Sequence, residues 1–282
     1  MFHDTLVPFA ERRIIKMRIK NSIKSVWDLR KIISSLALED FKKRFVGSYF
    51  GVFWMFVQPV VTVIIYYCVF QLGFKSAPPS GIDAPYVLWL IPGIVPWFYF
   101  NEAVQMGTGV LYDYNYLVKK VVFKISTLPI VKNISCFIVH MIFWLIMVAV
   151  FLLFGYTPNI YWIQTLYYSL CTFVLIIGIT LFTSAISVFF KDMGQLISIL
   201  LQFGMWITPI MWPYSMLGSK AWILKINPFY YISEGYRDSM LNNVWFWQRS
   251  KLTIYFWIVT IIIFIIGQKT FKKMKPHFAD VL

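Results

Sequence analysis

The side chains that could carry catalysis or bind a metal are few, and their spacing defines no catalytic site. The sequence lacks the G-x-x-x-x-G-K-[ST] run of a phosphate-binding loop and contains no Gly-Lys dipeptide, so the chain cannot hold a nucleotide in that way. Its three histidines form no H-E-x-x-H pattern, and its three cysteines lack metal-ligand spacing. His140 lies within a long apolar run, and we interpret it as a hydrogen-bonded buried histidine. We expect no catalytic residue, no metal and no bound cofactor.

Three charged residues stand out because charge inside a membrane is costly and marks a candidate functional site. Glu102 lies near the end of an apolar run, beside Asn101 and Gln105. It could face a cavity, bind a basic residue of the N-terminal segment, or simply reach water. Glu234 and Arg237 are three residues apart, which favours a local ion pair on a helix. The alternative is that Arg237 binds an anionic head group, since a guanidinium suits phosphate geometry; we favour the ion pair.

Aromatic residues make up 20% of the chain. Belts at the membrane surface account for many of them, and packing against lipid is the default for any single one. Their faces also offer an apolar stacking surface with a polar tip, which would suit a pathway for sugars. The candidate pathway residues are Tyr66, Trp89, Trp97, Tyr99, Trp206, Tyr230 and Tyr231.

The elements that would position these residues are apolar runs long enough to cross a bilayer. Hydrophobic residues make up 59% of the chain and charged residues 13%, and the mean hydropathy is +0.68. A spanning helix needs roughly 20 mostly apolar residues. The sequence therefore predicts an all-α integral membrane protein. Its six predicted spans are Tyr49–Leu72, Tyr86–Met106, Ile134–Phe154, Trp162–Phe190, Gly194–Trp212 and Leu252–Gly267.

Basic residues predict the orientation of these spans. The segments that would share one side hold 20 of the 26 Lys and Arg residues, which makes that side cytoplasmic and places both termini there. The net charge of +14 therefore reflects the orientation of the spans in the membrane. Without a basic soluble domain it does not indicate nucleic-acid binding. We expect a cytoplasmic N-terminus over residues 1–48, one membrane domain over 49–268 and a cytoplasmic tail over 269–282.

Two cytoplasmic segments have more apolar residues than simple connectors need. Apolar residues recur at helical spacing over Val26–Phe45, which predicts an amphipathic helix that either anchors at the membrane surface or also contacts a partner. Gly107–Asn133 contains a second such stretch. It is either a short helix that docks on another protein or a helix at the membrane surface whose lysine side chains reach out to water. The fifth loop, Pro213–Lys251, has short aromatic-rich stretches that fit a pair of re-entrant or interfacial helices.

Several short motifs, each weak alone, form a specific pattern when they are taken together. They are Tyr49-Phe-Gly-Val-Phe-Trp54, Gln58-Pro59, Tyr67-Cys-Val-Phe70, Pro85-Tyr-Val-Leu-Trp-Leu90, Gly93-Ile-Val-Pro-Trp97, Leu117-Val-Lys-Lys-Val-Val-Phe123, Leu128-Pro129, Phe189-Phe-Lys-Asp-Met193, Thr208-Pro-Ile-Met-Trp-Pro213, Asn227-Pro228, Tyr231, Glu234-Gly-Tyr-Arg237 and Lys275-Pro-His-Phe-Ala-Asp280. Through these motifs the chain from about residue 27 to its end resembles the permeases of type-2 ABC exporters for cell-surface polysaccharides.

The resemblance implies a homodimer of six-span subunits in a bacterial cytoplasmic membrane, with two copies of a separate ATPase that binds the ATP and Mg. The cargo would be an undecaprenyl-type lipid-linked polysaccharide, such as O-antigen or a teichoic acid. ATPase-coupling residues would be Leu117, Lys119, Lys120, Val121, Phe123, Lys191 and Asp192. The interface helix that gates access would include Trp27, Arg30, Phe41 and Arg44, and the outer gate Glu234 and Arg237. The family often has proline after the aromatic residue of the coupling helix, where this chain has Lys124.

Two other classes of protein remain open. A membrane-embedded transferase acting on lipid-linked sugars would need an acidic or histidine site near one membrane face. Only Glu102, Asp113 and Asp192 are available on the inner side, and they do not cluster in the sequence. A passive channel would need no ATPase, and so would leave the two docking-like cytoplasmic segments unexplained.

Overall fold

The computed structural model describes residues 30–44, 49–75, 78, 82, 84–119 and 124–282. Across these ranges the regular structure is helical and includes no strand, which agrees with the all-α prediction. Helix α1 covers residues 30–43. The others are α2 (Trp54–Tyr66), α3 (Tyr86–Asp113), α4 (Asn115–Val118), α5 (Leu128–Leu153), α6 (Gln164–Ser187), α7 (Met193–Ile207), α8 (Pro228–Arg237), α9 (Ser250–Met274) and α10 (Phe278–Val281).

Five helical stretches in the described ranges are long and apolar enough to cross a membrane. Each overlaps one of the predicted spans, and two of the helices end clearly later than the sequence pattern predicted. Helix α3 continues to Asp113 and α9 to Met274, so each helix extends past the end of its apolar run. The chain is thus a multi-pass integral membrane protein. The stretches are Gly51–Gly73, Tyr86–Asp113, Ile125–Leu153, Ile160–Ser187 and Phe246–Val281.

The remaining predicted span, Gly194–Trp212, corresponds to α7, an apolar helix of 15 residues. At 1.5 Å per residue α7 is about 22 Å long, which is less than a hydrocarbon core of roughly 30 Å. The helix ends at Ile207, two residues before Pro209, and the chain continues in irregular form. Met211 then accepts a hydrogen bond from the Tyr86 hydroxyl at 2.5 Å, which brings this segment to the first turn of α3. A count of six spans stays a prediction.

Helix α3 lies at the centre of the bundle. Apolar residues surround its axis, as is typical of a helix with neighbours on every side, and it packs against α5, α6, α7 and α8. Helices α6 and α9 approach closely at two glycines. A Cβ atom on Gly178 would lie 3.0 Å from the backbone nitrogen of Phe264, and one on Gly267 would collide with the carbonyl oxygen of Gly178. Small residues of this kind let membrane helices approach each other closely.

Helix α2 contrasts with α3 because none of its residues is buried. It contains Pro59 and continues as a π-helix over Tyr67–Gly73. Large apolar side chains such as Ile64 and Ile65 are more than half exposed. The outer face of α2 is therefore apolar and uncovered by the described chain.

A second hydrophobic cluster lies at the opposite end of α3 from Tyr86. It joins the last turns of α3 and α6, helix α4 and the start of α5 to the C-terminal residues. Phe278 of α10 is fully buried there, 5.3 Å from the ring of Phe271 between centroids. The Asn115 side chain donates to the carbonyl oxygen of Leu282 at 3.1 Å. The C-terminal segment is thus bound to the same cluster as α4.

Candidate functional site

A cavity of about 860 Å³ lies between α2, α3, α5 and α7. Its wall carries both aromatic and polar side chains. Polar residues at membrane depth are rare and typically face a bundle interior or a water-filled space, so this cavity is the candidate functional site. The polar residues of its wall are Arg44, Gln58, Thr62, Tyr66, Tyr99, Asn101, Glu102, Gln105, His140, Ser198 and Gln202.

Three of the predicted pathway aromatics line this cavity, namely Tyr66, Trp97 and Tyr99. The hydroxyl of Tyr66 donates to the sulfur of Met205 at 3.6 Å and so links α2 to α7 across the cavity. Trp97 is 4.9 Å from Phe229 in an edge-to-face arrangement. The sequence pattern thus located part of the wall of the cavity.

The other four predicted pathway aromatics are not among the residues that line the cavity. Trp89 and Tyr230 are buried, Tyr231 is buried and stacks on Phe256 at 4.9 Å, and Trp206 is 55% exposed on the face of α7. Their role in a pathway stays a prediction that this cavity does not support.

Glu102 both lines the cavity and binds the N-terminal segment, which were two of the three alternatives from the sequence. Arg44, just after α1, donates to Glu102 Oε1 at 2.6 Å and to the sulfur of Cys136 at 3.0 Å. Arg44 also lines the cavity. One end of the cavity therefore carries a paired cation and anion.

The same end of α1 is bound by a second group of charges, which the sequence did not reveal. Lys132 of α5 donates to Asp40 Oδ1 at 2.7 Å and forms an ion pair with Asp113 at 3.1 Å. Tyr114 donates to the same Asp40 oxygen at 2.9 Å. Burial alone would raise the pKa of Asp40, but Lys132, Ser135 and Tyr114 outweigh it and hold this pKa below its ordinary value.

The predicted interface helix is present as α1, and its residues differ in environment. Arg30 is exposed, whereas Phe41 is partly buried and packs against the main core. Trp27 lies outside the described residues. Together with Arg44 and Asp40, Phe41 binds α1 to α3 and α5 at the end of the bundle where the C-terminal segment also lies.

The two outer-gate residues form the predicted ion pair. Arg237 Nη1 donates to Glu234 Oε1 at 2.6 Å, and Arg237 is only 1% exposed. The guanidinium also donates to the carbonyl oxygens of Trp89 at 3.1 Å, Pro209 at 2.7 Å and Ile210 at 2.5 Å. It lies 3.7 Å from the centre of the Trp89 ring. With this many partners Arg237 is enclosed by protein, which favours the structural interpretation over a head-group site.

The carbonyls of Pro209 and Ile210 belong to the irregular segment that follows α7. Prolines 209 and 213 end the helical pairing, and backbone groups at membrane depth need replacement partners. Arg237 and the Tyr86 hydroxyl supply them at Pro209, Ile210 and Met211. Helix α8 begins at Pro228, and its N-cap residue Asn227 accepts a hydrogen bond from the Phe229 amide at 2.9 Å.

The predicted coupling residues are only partly described. Leu117 is partly buried against the C-terminal cluster, and Lys119 is exposed. Lys191 and Asp192 form an exposed turn between α6 and α7. The other three, Lys120, Val121 and Phe123, lie outside the described residues.

The fold and the cavity define a helical membrane protein with a partly polar cavity between its helices. Comparison with known proteins then gives the family: residues 33–241 match the ABC-2 type transporter family, and the chain belongs to it. Two O-antigen export system permease proteins RfbA of Klebsiella pneumoniae are each 25% identical over 271 residues, covering 95% of this chain and 100% of theirs. One from Myxococcus xanthus is 23% identical over 221 residues, covering 76% and 82%.

Proposed function

We propose that this chain is the permease subunit of an ATP-driven exporter that moves an undecaprenyl-type lipid-linked polysaccharide from the cytoplasmic to the outer leaflet. The cargo class is that of O-antigen or teichoic acid. Relatives named O-antigen export permeases, which cover nearly the whole chain, support the class of cargo.

The observation that carries this proposal is the cavity between the packed core and α2, a helix with no buried residue. Its wall combines aromatic faces with uncharged hydrogen-bonding groups, the chemistry that sugar rings and hydroxyls match. Helix α2 contributes Gln58, Thr62 and Tyr66 to that wall, yet its outer face is uncovered. A second copy of the chain would cover this apolar face and extend the cavity into a continuous path, which supports a homodimer of six-span subunits.

Energy would come from a separate ATPase present in two copies, which binds the ATP and Mg. The sequence has no phosphate-binding loop. Two elements are available for docking: the region of the partly buried Leu117 and the exposed Lys119, and the exposed turn at Lys191 and Asp192. Both lie on the side that the basic residues predict to be cytoplasmic in a bacterial inner membrane.

The two ends of the cavity would act as gates. At the inner end, α1 is bound through Arg44 to Glu102, and separation of this pair would open lateral access from the membrane. At the outer end, α8 would form part of a re-entrant gate, held by Arg237 and Glu234. The arrangement of partners around Arg237 supports a rigid outer gate rather than a head-group site.

The transferase alternative receives little support. Glu102 and Asp113 are each engaged by a basic residue, Arg44 and Lys132 respectively. Asp192 lies on an exposed turn. Among the residues described, no group of three acidic, histidine or cysteine side chains could hold a metal ion.

Charged substitutions in the coupling segment test the proposal. Replacing Val121, Val122 and Phe123 with aspartate should uncouple ATP hydrolysis from export while the protein still inserts into the membrane. Aspartate at Ser34, an exposed position on α1, is the control for added charge. Unchanged export by the triple variant would contradict the assignment of this segment to ATPase coupling.

A further inference from the structure

The C-terminal segment, residues 275–282, is anchored by one buried aromatic ring. Phe278 is fully buried, whereas His277 and Ala279 on either side of it are exposed. The Phe278 ring lies 5.3 Å from the ring of Phe271 in the last turns of α9, between centroids. The segment carries one of the motifs that resemble the exporter permeases, and no step of the proposed export involves it.

This segment contacts both elements that are available for ATPase docking. The Phe278 ring lies 6.2 Å, between centroids, from the ring of Phe189, which is two residues before Lys191 in the exposed turn. The carbonyl oxygen of Leu282 accepts a hydrogen bond at 3.1 Å from the side chain of Asn115, the first residue of α4. The Leu282 amide also donates to the Phe278 carbonyl oxygen at 3.0 Å. One helical turn, α10, therefore connects the two docking elements.

The helices that carry these elements are already bonded to each other. In the last turn of α3, the Tyr112 hydroxyl donates to the carbonyl oxygen of Ser187, the last residue of α6, at 2.9 Å. The C-terminal segment adds contacts further along the chain, at Asn115 of α4 and at Phe189 before the turn. The two docking elements are thus held at their bases and again beyond them.

We propose that the C-terminal segment is a brace that holds α4 and the turn at Lys191 in one fixed arrangement, so that the ATPase binds them as a single surface. This inference rests on the proposed function and adds positioning residues to it. Phe278 holds one end of the brace and Asn115 the other. A partner that binds two elements loses less conformational freedom when their arrangement is already fixed.

Spin labels test the brace without requiring an ATPase or transport. The exposed residues Tyr116 of α4 and Lys191 of the turn are changed to cysteine and labelled. The exposed Cys68 is first changed to serine, and Cys136 and Cys171 are buried. Labelled protein is diluted with unlabelled protein, so that pulsed electron paramagnetic resonance measures the distance between the two labels within one chain.

The distribution of this distance should be narrow in the parent protein and broad in Phe278→Ala. Phe278→Leu keeps an apolar side chain and should broaden it less. Phe151→Ala is the matched control, because Phe151 is also fully buried but lies near the other end of α5, 5.9 Å from the Trp162 ring. This control should lose comparable thermal stability and keep the narrow distribution. A broad distribution in the parent, a narrow one in Phe278→Ala, or equal broadening in both alanine variants would overturn the proposal.

Binding of an ATPase encoded beside the gene gives a second measurement. Phe278→Ala should weaken binding about tenfold, because binding must then order the two elements. Asn115→Ala should weaken it less, and Phe151→Ala should bind like wild type. Equal affinity of the Phe278→Ala and Phe151→Ala variants, at equal thermal stability, would overturn the role of the brace in docking. If the wild-type chain binds no ATPase but its label distance depends on Phe278, the brace is supported and the proposed function is contradicted.

Discussion

Replacing Arg237 with methionine should destabilise the protein strongly, whatever the cargo is. Methionine keeps an unbranched apolar stem but has no charge and no hydrogen-bond donor. In the wild-type protein the guanidinium binds Glu234 and three carbonyl oxygens and covers the ring of Trp89. The substitution leaves the carboxylate of Glu234, which is 6% exposed, without its cation.

Leaving one member of a buried ion pair without its partner costs about 3–5 kcal/mol. Each carbonyl that no water reaches adds about 1 kcal/mol. Loss of the cation–π contact with Trp89 adds up to about 2 kcal/mol, and such terms are not fully additive. Arg237→Lys should be intermediate, since it keeps the charge near Glu234 but cannot bind all three carbonyls.

Thermal unfolding in a mild detergent measures these differences, with binding of anionic lipid measured on the same samples. The double variant Arg237→Met with Glu234→Gln should recover part of the loss, because the unpaired charge is removed. A head-group role predicts the opposite pattern. If Arg237→Met unfolds at the wild-type temperature but loses binding to anionic lipid, the structural interpretation is refuted.

Three further predictions concern other parts of the bundle. Trp97→Ala should reduce export more than thermal stability, because Trp97 lines the cavity, whereas Trp89→Ala should chiefly reduce stability; equal losses in both variants would refute the distinction. Gly267→Leu should separate α6 from α9 and cost about 1–3 kcal/mol or more, while Gly109→Ala, with open space at its Cβ, should be tolerated in the same unfolding assay. Because the pKa of Asp40 is lowered, its stabilising effect is complete above its unfolded value of about 3.9 and is lost as pH falls through the lower folded value. Asp40→Asn should therefore unfold earlier at pH 6 and lose less stability than wild type on acidification to pH 3.

The spans were predictable because a bilayer demands long apolar runs, and these dominate the sequence. The ends of the spans were harder to predict. Helices α3 and α9 continue through polar residues beyond the apolar run, where tertiary contacts rather than hydropathy maintain the helix. The prolines at 209 and 213 indicated correctly that helical pairing stops near them, but α7 ends before both.

Charged residues of functional interest were predictable only where the evidence lay within one short stretch of the sequence. Glu102 stood out as a charge near an apolar run, and Glu234 with Arg237 as a pair at helical spacing. Asp40 and Lys132 are 92 positions apart, so no local pattern could join them. His140 likewise bonds to the hydroxyls of Ser169 and Tyr236, which are 29 and 96 positions away, so the sequence indicated only that this histidine would be hydrogen bonded.

The most direct test of the proposed function is transport in proteoliposomes by the purified permease together with any ATPase that is encoded beside its gene. A fluorescent lipid-linked glycan is placed in the leaflet that faces the ATPase, and its arrival in the opposite leaflet is followed with an impermeant quencher. The account predicts a complex with two copies of each subunit and arrival that requires ATP and is lost with aspartate at positions 121–123. Arrival of the glycan at the same rate without ATP would contradict ATP-driven export and indicate a passive channel. The absence of any complex with the ATPase would contradict the proposal that a separate subunit hydrolyses the ATP.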